Sequence, residues 1–173
     1  MEIRRVEINE LEKVMEVIND AKMLFKNEKS DQWQDYDGYP NEKTMLNDIN
    51  NQELYIKIKN NQIVGCIVLT YKQEEAYKNI YDGNWSTNSK YMVIHRLSVR
   101  KENYHQGIAK ELIKFAIDKI KKDNIDSIRV DTKIENVRMI SLLKKFNFKI
   151  VGKIDLLRKD CIDKVRLALE YIK

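Results

Sequence analysis

Residues 94–110 of the chain, with the sequence IHRLSVRKENYHQGIAK, decide the fold. The segment contains the end of an apolar strand, a short polar loop and, at Gly107, the start of a helix. The first N–H groups of a helix have no partner within the helix, and the helix dipole adds partial positive charge there. Because glycine also lets the backbone approach a ligand closely, this turn is a candidate anion-binding site. A glycine that serves only the turn itself would produce the same pattern.

Hydrophobic periodicity predicts the elements on either side of this segment. Asn9 is the expected N-cap of the first helix, and Asn60-Asn61 is the expected hairpin turn. Residues 72–90 are expected to form a polar connection. The predicted order is helix 9–27, helix 41–50, strand 53–59, strand 62–71, strand 91–99, helix 107–122, strand 127–132, helix 135–146, strand 148–153 and strand 165–171. This order predicts an α/β fold, a mixed sheet with helices on both faces.

Size and composition predict one globular domain over residues 1–173. Of these residues 43% are hydrophobic and 34% are charged, as in ordinary globular proteins. No apolar run approaches the ~20 residues of a membrane-spanning helix, and the N-terminus lacks the apolar stretch of a signal peptide. We therefore expect a cytoplasmic protein that has no membrane partner. Cys66 and Cys161 are too few for a cysteine-rich zinc site, so we expect reduced core cysteines and no metal.

The net charge of +5 raises the question of nucleic-acid binding. It results from 32 Lys and Arg against 27 Asp and Glu, and the two signs are interleaved along the chain. Binding to nucleic acid needs a contiguous basic face, so we do not expect a nucleic-acid partner. The chain contains neither G-x-x-x-x-G-K-[ST] nor G-x-G-x-x-G, which excludes a P-loop and argues against a Rossmann dinucleotide site.

The decisive segment and the residues downstream resemble the GCN5-related N-acetyltransferase (GNAT) family. In that family a strand ending in Val is followed by a loop and by R/Q-x-x-G-x-G/A, which binds the coenzyme A pyrophosphate. Here Val99 ends the strand and the loop closes with residues 104–109, YHQGIA. Downstream, residues 130–132 (VDT), 135–136 (EN) and 142–148 (LLKKFNF) match the family ending T…N…L-Y-x-K-x-G-F. The element order matches too, so the resemblance covers essentially the whole chain.

The resemblance implies the acyl-CoA N-acyltransferase fold, with a mixed, mostly antiparallel sheet of about six to seven strands and about four helices. It implies an N-acetyltransferase that moves an acetyl group from acetyl-CoA, as co-substrate, to a primary amine of a small molecule or peptide in a ternary complex. Arg100, Lys101 and Lys110 would lie near the phosphates; lysines that are merely solvated surface charges are the alternative. The cofactor-binding residues that it implies are Leu97, Ser98, Val99, Tyr104, His105, Gln106, Gly107, Ile108, Ala109, Lys110 and Asn136. A homodimer pairing strand 165–171 across its interface, as in relatives, is compatible with the sequence.

Three residues depart from the family pattern. Tyr104 stands where the motif has Arg or Gln, which removes a side-chain contact to the pyrophosphate but not the contacts of the main-chain amides. Asn147 replaces a glycine, and asparagine tolerates the left-handed conformation at a helix end. Leu143 stands where many members carry a Tyr that protonates the departing thiolate. This last departure keeps a second interpretation open, a catalytically weak acyl-CoA-binding sensor or regulatory module.

The acceptor side of the reaction is less constrained by the sequence. His95 is a candidate general base, because histidine accepts protons near neutral pH; a structural histidine, or a carboxylate acting through water, is the alternative. Trp33 and Tyr36 lie in an acidic loop, residues 30–40 (SDQWQDYDGYP), together with Asp31, Asp35 and Asp37. Carboxylates beside aromatic faces suit a cationic amine, so the two aromatics are candidate substrate-binding residues. A polar surface loop whose aromatics pack on the core is the alternative.

Overall fold

A computed structural model describes residues 2–159 and 161–173. Every predicted helix and strand is present, with bounds within two residues of those expected. The strands are β1 (Glu2–Arg5), β2 (Leu54–Lys59), β3 (Gln62–Thr70), β4 (Tyr91–Val99), β5 (Ser127–Thr132), β6 (Lys149–Asp155) and β7 (Val165–Ile172). The helices are α1 (Leu11–Asn27), α2 (Glu42–Asn50), α3 (Ile108–Lys122) and α4 (Val137–Lys145), with 3-10 turns at Ile8–Glu10, Glu75–Asn79 and Lys101–Asn103.

The strands form a seven-stranded sheet in the order β1-β2-β3-β4-β5-β7-β6. Strands β1 and β2, β2 and β3, β5 and β7, and β6 and β7 pair antiparallel, whereas β4 and β5 pair parallel. A parallel pair needs a crossover connection, and α3 lies in the connection from β4 to β5. The predicted fold class, a mixed and mostly antiparallel sheet with helices, is confirmed.

The chain divides into two compact units. Unit 1 comprises Met1–Leu69 and His95–Phe115, and unit 2 comprises Thr70–Ile94 and Ala116–Lys173. In unit 1, α1 buries one face at helical spacing, as its sequence predicts. The core that this face joins consists of Val6, Val14, Val17, Ile18, Met45, Ile49, Leu54, Ile56, Cys66 and Val68. Each aliphatic side chain buried there contributes roughly 1.5–3 kcal/mol.

The start of α1 corrects one prediction. Asn9 does not cap the helix but lies inside the 3-10 turn Ile8–Glu10, and α1 begins only at Leu11. The Glu10 carboxylate stabilises this entry instead, because it accepts the Glu7 N–H at 2.9 Å and the Arg4 guanidinium at 2.8 Å. A capping carboxylate that also has a cationic partner satisfies the free N–H groups better than a lone Asn.

The polar, charged segment before this turn forms a strand that periodicity does not predict. β1 pairs antiparallel with β2 from Glu2↔Ile58 to Arg5↔Tyr55. At four residues, with exposed or half-buried side chains, it carries too few apolar positions to show alternation. The hairpin that joins β2 to β3 does follow the prediction, because Asn60 and Asn61 have φ of +50° and +59°.

Unit 2 corrects the interpretation of residues 72–90 as a merely polar connection. Its core contains Ala76 and Tyr77 from the turn Glu75–Asn79, packed with Val93, Ile154 and Ala168. The Tyr77 hydroxyl donates to the Asp131 carboxylate at 2.8 Å, and the Trp85 ring lies 5.0 Å from the Tyr77 ring. Three-dimensional contacts therefore bury aromatic residues that the surrounding polar sequence made look exposed.

A buried charge pair holds the end of the same connection. Arg129 on β5 pairs with Glu170 on β7 at 3.2 Å, and both side chains are almost fully buried. The Arg129 guanidinium lies 4.3 Å and 4.0 Å from the ring centroids of Trp85 and Tyr91. Pairing and aromatic stacking offset the cost of removing these charges from water.

Candidate active site

The carboxyl half of β4 extends beyond its pairing with β5. The parallel ladder runs from the pair Tyr91↔Ser127 to the pair Val93↔Arg129, whereas β4 itself continues to Val99. The main chain of Leu97, Ser98 and Val99 therefore lies past the ladder with β5, whereas the other edge of β4 adjoins β3. A strand edge outside a ladder offers N–H and C=O groups to an extended ligand.

Arg96 interrupts the extended backbone of this part of β4. Its φ is +54°, in the left-handed region that non-glycine residues rarely adopt. The Arg96 carbonyl accepts a hydrogen bond from Ser98 Oγ at 3.3 Å. Irregular positions of this kind redirect strand backbone and occur often beside active sites. No Gly or Asn marks the position, so local sequence does not predict the irregularity.

Asp48 on α2 holds the Arg96 side chain. Arg96 Nε and Nη2 donate to Asp48 Oδ2 and Oδ1 at 2.8 and 2.7 Å, and Nη1 donates to the Tyr39 hydroxyl at 2.7 Å. The side chain of Asp48 is 3% exposed and that of Arg96 is 12% exposed. Burial raises the pKa of Asp48 above its ordinary value, and the Arg96 charge opposes this rise. A bidentate geometry is the strongest form of such a pair.

The loop after β4 is tied to α1 by its side chains. Arg100 pairs with Asp20 at 3.0 Å and also with Glu16. The Lys101 N–H donates to the Asp20 carboxylate at 3.0 Å, and the Tyr104 hydroxyl donates to the Asp20 carbonyl at 3.3 Å. The side chains of Arg100 and Tyr104 are thus engaged by α1.

The first turn of α3 presents main-chain N–H groups. Within the described residues, no hydrogen bond uses the N–H of Ile108, Ala109 or Lys110. Gly107, which precedes them, has a φ of +84°, and a Cβ built on it would meet no protein atom within 4 Å. The space at the Gly107 Cβ position is therefore open, which is compatible with the anion site predicted at this turn.

The remaining loop residues surround this turn. His105 has a φ of +63° and an exposed side chain, and the Lys110 side chain is also exposed. Gln106 Oε1 accepts from Lys59 Nζ at 2.7 Å, and Nε2 donates to the Glu102 carbonyl at 2.9 Å. Unit 1 thus brings together all the predicted cofactor residues from 97 to 110.

Asn136, the remaining predicted cofactor residue, belongs to unit 2. Its side chain caps α4 by accepting the Met139 N–H at 3.2 Å, and it donates to Thr132 Oγ1 at 3.0 Å. At the other end of α4, Leu143 is fully buried, and Asn147 has the left-handed φ of +65° that was expected of it. The buried side chain at position 143 carries no proton to donate.

The residues predicted on the acceptor side lie in unit 1. His95 is half-buried on β4, in the same unit as Asp48. In the acidic loop, the Trp33 ring packs edge-on against Phe25 at 5.3 Å and joins the core. The Tyr36 side chain, by contrast, is 95% exposed. The two predicted substrate aromatics therefore have different surroundings.

The two cysteines are buried. Cys66 lies in the core of unit 1, where burial raises the pKa of its thiol to about 12. Cys161 lies between β6 and β7. Among residues 2–159 and 161–173, no group of three or more His, Cys, Asp or Glu could hold a metal ion. None of the helices in those ranges has the length and apolar character needed to cross a membrane.

Known proteins similar to this chain are acetyltransferases of one family. The sequence model of the acetyltransferase (GNAT) family matches residues 15–148. A GNAT-family acetyltransferase structure from Streptococcus agalactiae is 30% identical, with a TM-score of 0.89 over 99% of this chain and 95% of its own. No curated protein sequence matches the chain.

Two more distant structures show the same fold. PaiA N-acetyltransferase from Thermoplasma acidophilum, solved in complex with coenzyme A, is 20% identical, with a TM-score of 0.69 over 99% of this chain and 98% of its own. A GNAT-family acetyltransferase from Listeria monocytogenes is 15% identical, with a TM-score of 0.74 over 99% and 94% of the two chains. The family is shown by the sequence-model match over residues 15–148 and by the 30% identity to the Streptococcus agalactiae structure: the chain belongs to the GNAT acetyltransferase family.

Proposed function

We propose that the chain, as one domain over residues 1–173, is an N-acetyltransferase that transfers the acetyl group of acetyl-CoA to a primary amine. One observation carries the proposal: the open main-chain amides of the first turn of α3, after Gly107, lie in the same unit as the end of β4 that extends beyond its ladder with β5. Family membership supplies the reaction class, and this arrangement supplies a place for the co-substrate.

Main-chain groups are proposed to bind acetyl-CoA. The N–H groups of Ile108, Ala109 and Lys110 bind the pyrophosphate, since a helix start favours anions through both its free donors and its dipole. The Gln106 N–H, also predicted for this role, donates to the Asn103 carbonyl at 3.4 Å. The side chains of His105 and Lys110 are exposed and border this site. The main chain of Leu97, Ser98 and Val99 pairs with the pantetheine arm. A pantetheine contact for Asn136 stays a prediction from the family resemblance.

In the proposed reaction the protein supplies a hydrogen-bond donor and a proton acceptor. An N–H of the β4 end donates to the thioester carbonyl oxygen and stabilises the negative charge that develops there. His95, directly or through a water molecule, accepts the proton that the amine loses as its nitrogen bonds the carbonyl carbon. The carbon–sulfur bond then breaks and coenzyme A leaves as a thiolate. This departure needs no proton from position 143, because a thiolate is a good leaving group.

The acceptor is proposed to be a cationic amine of a small molecule or peptide. Support comes from the acidic loop, where the exposed Tyr36 ring stands beside Asp35 and Asp37 in the chain. Aromatic faces and carboxylates both attract ammonium groups. Trp33 would contribute by placing this loop, since its own ring packs on Phe25. We expect a cytoplasmic enzyme without metal, membrane or nucleic-acid partners, and a homodimer is compatible with β7.

A second candidate function is an acyl-CoA-binding sensor with little turnover. The observation that favours it is Leu143, fully buried at the position of the usual proton donor. Coenzyme A release from acetyl-CoA, measured with a thiol reagent across a broad amine panel, separates the two functions. Turnover on any amine supports the transferase, whereas tight binding without turnover on every amine supports the sensor.

The substitution Gly107→Glu tests the coenzyme A site. A glutamate there places bulk and negative charge over the α3 amides, so we expect coenzyme A affinity to fall more than about tenfold, a change above about 1.4 kcal/mol. The measurement is isothermal titration with coenzyme A. Gly38→Glu is the matched control, because Gly38 also has a positive φ, +72°, and no atom within 4 Å of a Cβ.

In both variants a side chain at positive φ costs about 1–2 kcal/mol, so Tm should fall by a similar amount in each. Only the Gly107 variant should lose coenzyme A binding. Equal affinity in the wild type and in Gly107→Glu would show that the pyrophosphate binds elsewhere, and the proposal would lose its principal support.

A further inference from the structure

Hydrogen bonds of its own side chain hold Arg96 in the left-handed conformation. A non-glycine residue with φ of +54° inside a strand persists only where its surroundings over-determine it. The surroundings here are unusually specific. Three hydrogen bonds of 2.7–2.8 Å fasten the guanidinium to Asp48 and to the Tyr39 hydroxyl. These bonds connect the irregular residue of β4 to α2 and to the loop before it.

The burial of this network sets it apart from an ordinary surface ion pair. Asp48 is 3% exposed, and a buried carboxylate is costly unless its partner stays in place. A hydrophobic pair of similar volume would stabilise the core of unit 1 at least as well. A charged pair adds direction, because a bidentate carboxylate fixes the orientation of the guanidinium and hence the backbone that carries it.

The backbone that follows Arg96 is the part of β4 to which the proposed function assigns the thioester. Leu97 is the next residue, and Ser98 Oγ donates back to the Arg96 carbonyl at 3.3 Å. A rotation at Arg96 would therefore redirect the N–H groups that stabilise the carbonyl oxygen. Such donors act only when they are held in place before the reaction.

We infer that Asp48 and Tyr39 are positioning residues, which act through Arg96 to aim the main chain of Leu97 and Ser98 at the thioester carbonyl. This inference rests on the proposed function. It separates two tasks within unit 1: the turn at Gly107 holds the diphosphate of coenzyme A, and the Asp48–Arg96 pair prepares the β4 backbone for the acyl group.

The test uses the full-length, ¹⁵N-labelled protein titrated with coenzyme A and, separately, with acetyl-CoA. In the wild type we expect the amide signals of Gly107 and Ile108 to shift with both compounds. The signals of Leu97 and Ser98 should shift further with acetyl-CoA than with coenzyme A. In Asp48→Ala this acetyl-dependent difference should disappear, and affinity for acetyl-CoA should fall roughly tenfold to that for coenzyme A.

Glu10→Ala is the matched control, because it removes another carboxylate–guanidinium pair of unit 1, that with Arg4 at 2.8 Å, away from β4. A merely structural loss would affect both variants alike, so the acetyl-dependent shift should survive in the control. If Asp48→Ala does not fold, Tyr39→Phe removes a single hydrogen bond of the network and should reduce the same difference.

The outcomes separate the inference from the proposed function. If Asp48→Ala keeps the acetyl-dependent shift, the inference is overturned while the proposed coenzyme A site stands. Tyr39→Phe is read in the same way if Asp48→Ala does not fold. Absence of any shift at Gly107 and Ile108 in the wild type refutes the proposed function and the inference with it. Loss of the acetyl-dependent shift with retained shifts at Gly107 and Ile108 supports both.

Discussion

The close approach of α3 to β3 depends on the missing side chain of Gly65. A Cβ built at this position would lie 2.9 Å from Ile108 Cγ2, 3.0 Å from the Ser98 carbonyl oxygen and 3.2 Å from Leu112 Cδ1. Carbon atoms in favourable contact are about 3.5–4.0 Å apart. The substitution Gly65→Ala therefore forces α3 or β4 to move by a few tenths of an ångström.

The expected size of this effect follows from two opposing contributions. Overpacking a well-filled core by one methyl group costs about 2 kcal/mol, whereas alanine in a strand gains about 0.7 kcal/mol over glycine. The net loss is about 1.3 kcal/mol, which in a protein of this size lowers Tm by about 3–5 °C. Because the displaced atoms belong to Ile108 and Ser98, coenzyme A affinity should fall in the same variant.

A double-mutant cycle with Ile108→Ala checks this reasoning. Removing Cγ2 of Ile108 makes room for the new methyl group, so Gly65→Ala should cost less, or nothing, in the Ile108→Ala background. The measurement is urea unfolding of the wild type, the two single variants and the double variant. An equal cost in both backgrounds, or a stabilised single variant, would mean that the contact between β3 and α3 does not limit this position.

Two further predictions concern titratable groups. Burial raises the pKa of the Cys66 thiol to about 12. At pH 8 we therefore expect iodoacetamide to leave Cys66 unmodified in the folded protein and to label it in urea, as measured by mass spectrometry. Rapid labelling of the folded protein would contradict the burial of Cys66. The hydrogen bond from Arg4 lowers the pKa of Glu10. The ionised carboxylate therefore stabilises the folded protein at pH values above about 4.3, the pKa of an unfolded Glu, and this contribution is lost as the pH falls through the lower pKa of the folded state. Glu10→Gln should accordingly lose about 1 kcal/mol at pH 7 and less at pH 3 in urea unfolding, and an equal loss at both pH values would contradict this linkage.

Periodicity and local turn chemistry were sufficient to predict most of the fold. The burial of one face of α1 follows from the spacing of its apolar residues, and the turn Asn60-Asn61 and the left-handed Asn147 follow from residue type. The turn at Gly107 was also predictable, since its φ of +84° is a conformation that glycine adopts readily. In each case the cause lies within a few residues of its effect.

The features that sequence reasoning missed arise from contacts between distant residues. Arg96 and Asp48 are separated by 48 positions in the chain, and nothing near either residue indicates the pair. Tyr77 reads as part of a polar connection because its partner, Asp131, is 54 positions away. A charged or aromatic side chain in a polar segment has the same local pattern whether it is solvated or buried, so only the tertiary contacts decide.

The placement of the loop side chains bears on how the proposed coenzyme A site tolerates sequence change. Arg100 and Tyr104 are engaged by Glu16 and Asp20 of α1, so their contribution to the site is to hold the loop. Under the proposed function, recognition of the diphosphate rests on main-chain N–H groups, which every residue except proline supplies. The Tyr104 departure from the family motif should then leave coenzyme A binding intact, whereas an added side chain at Gly107 should weaken it, because it enters the open space next to the proposed anion site.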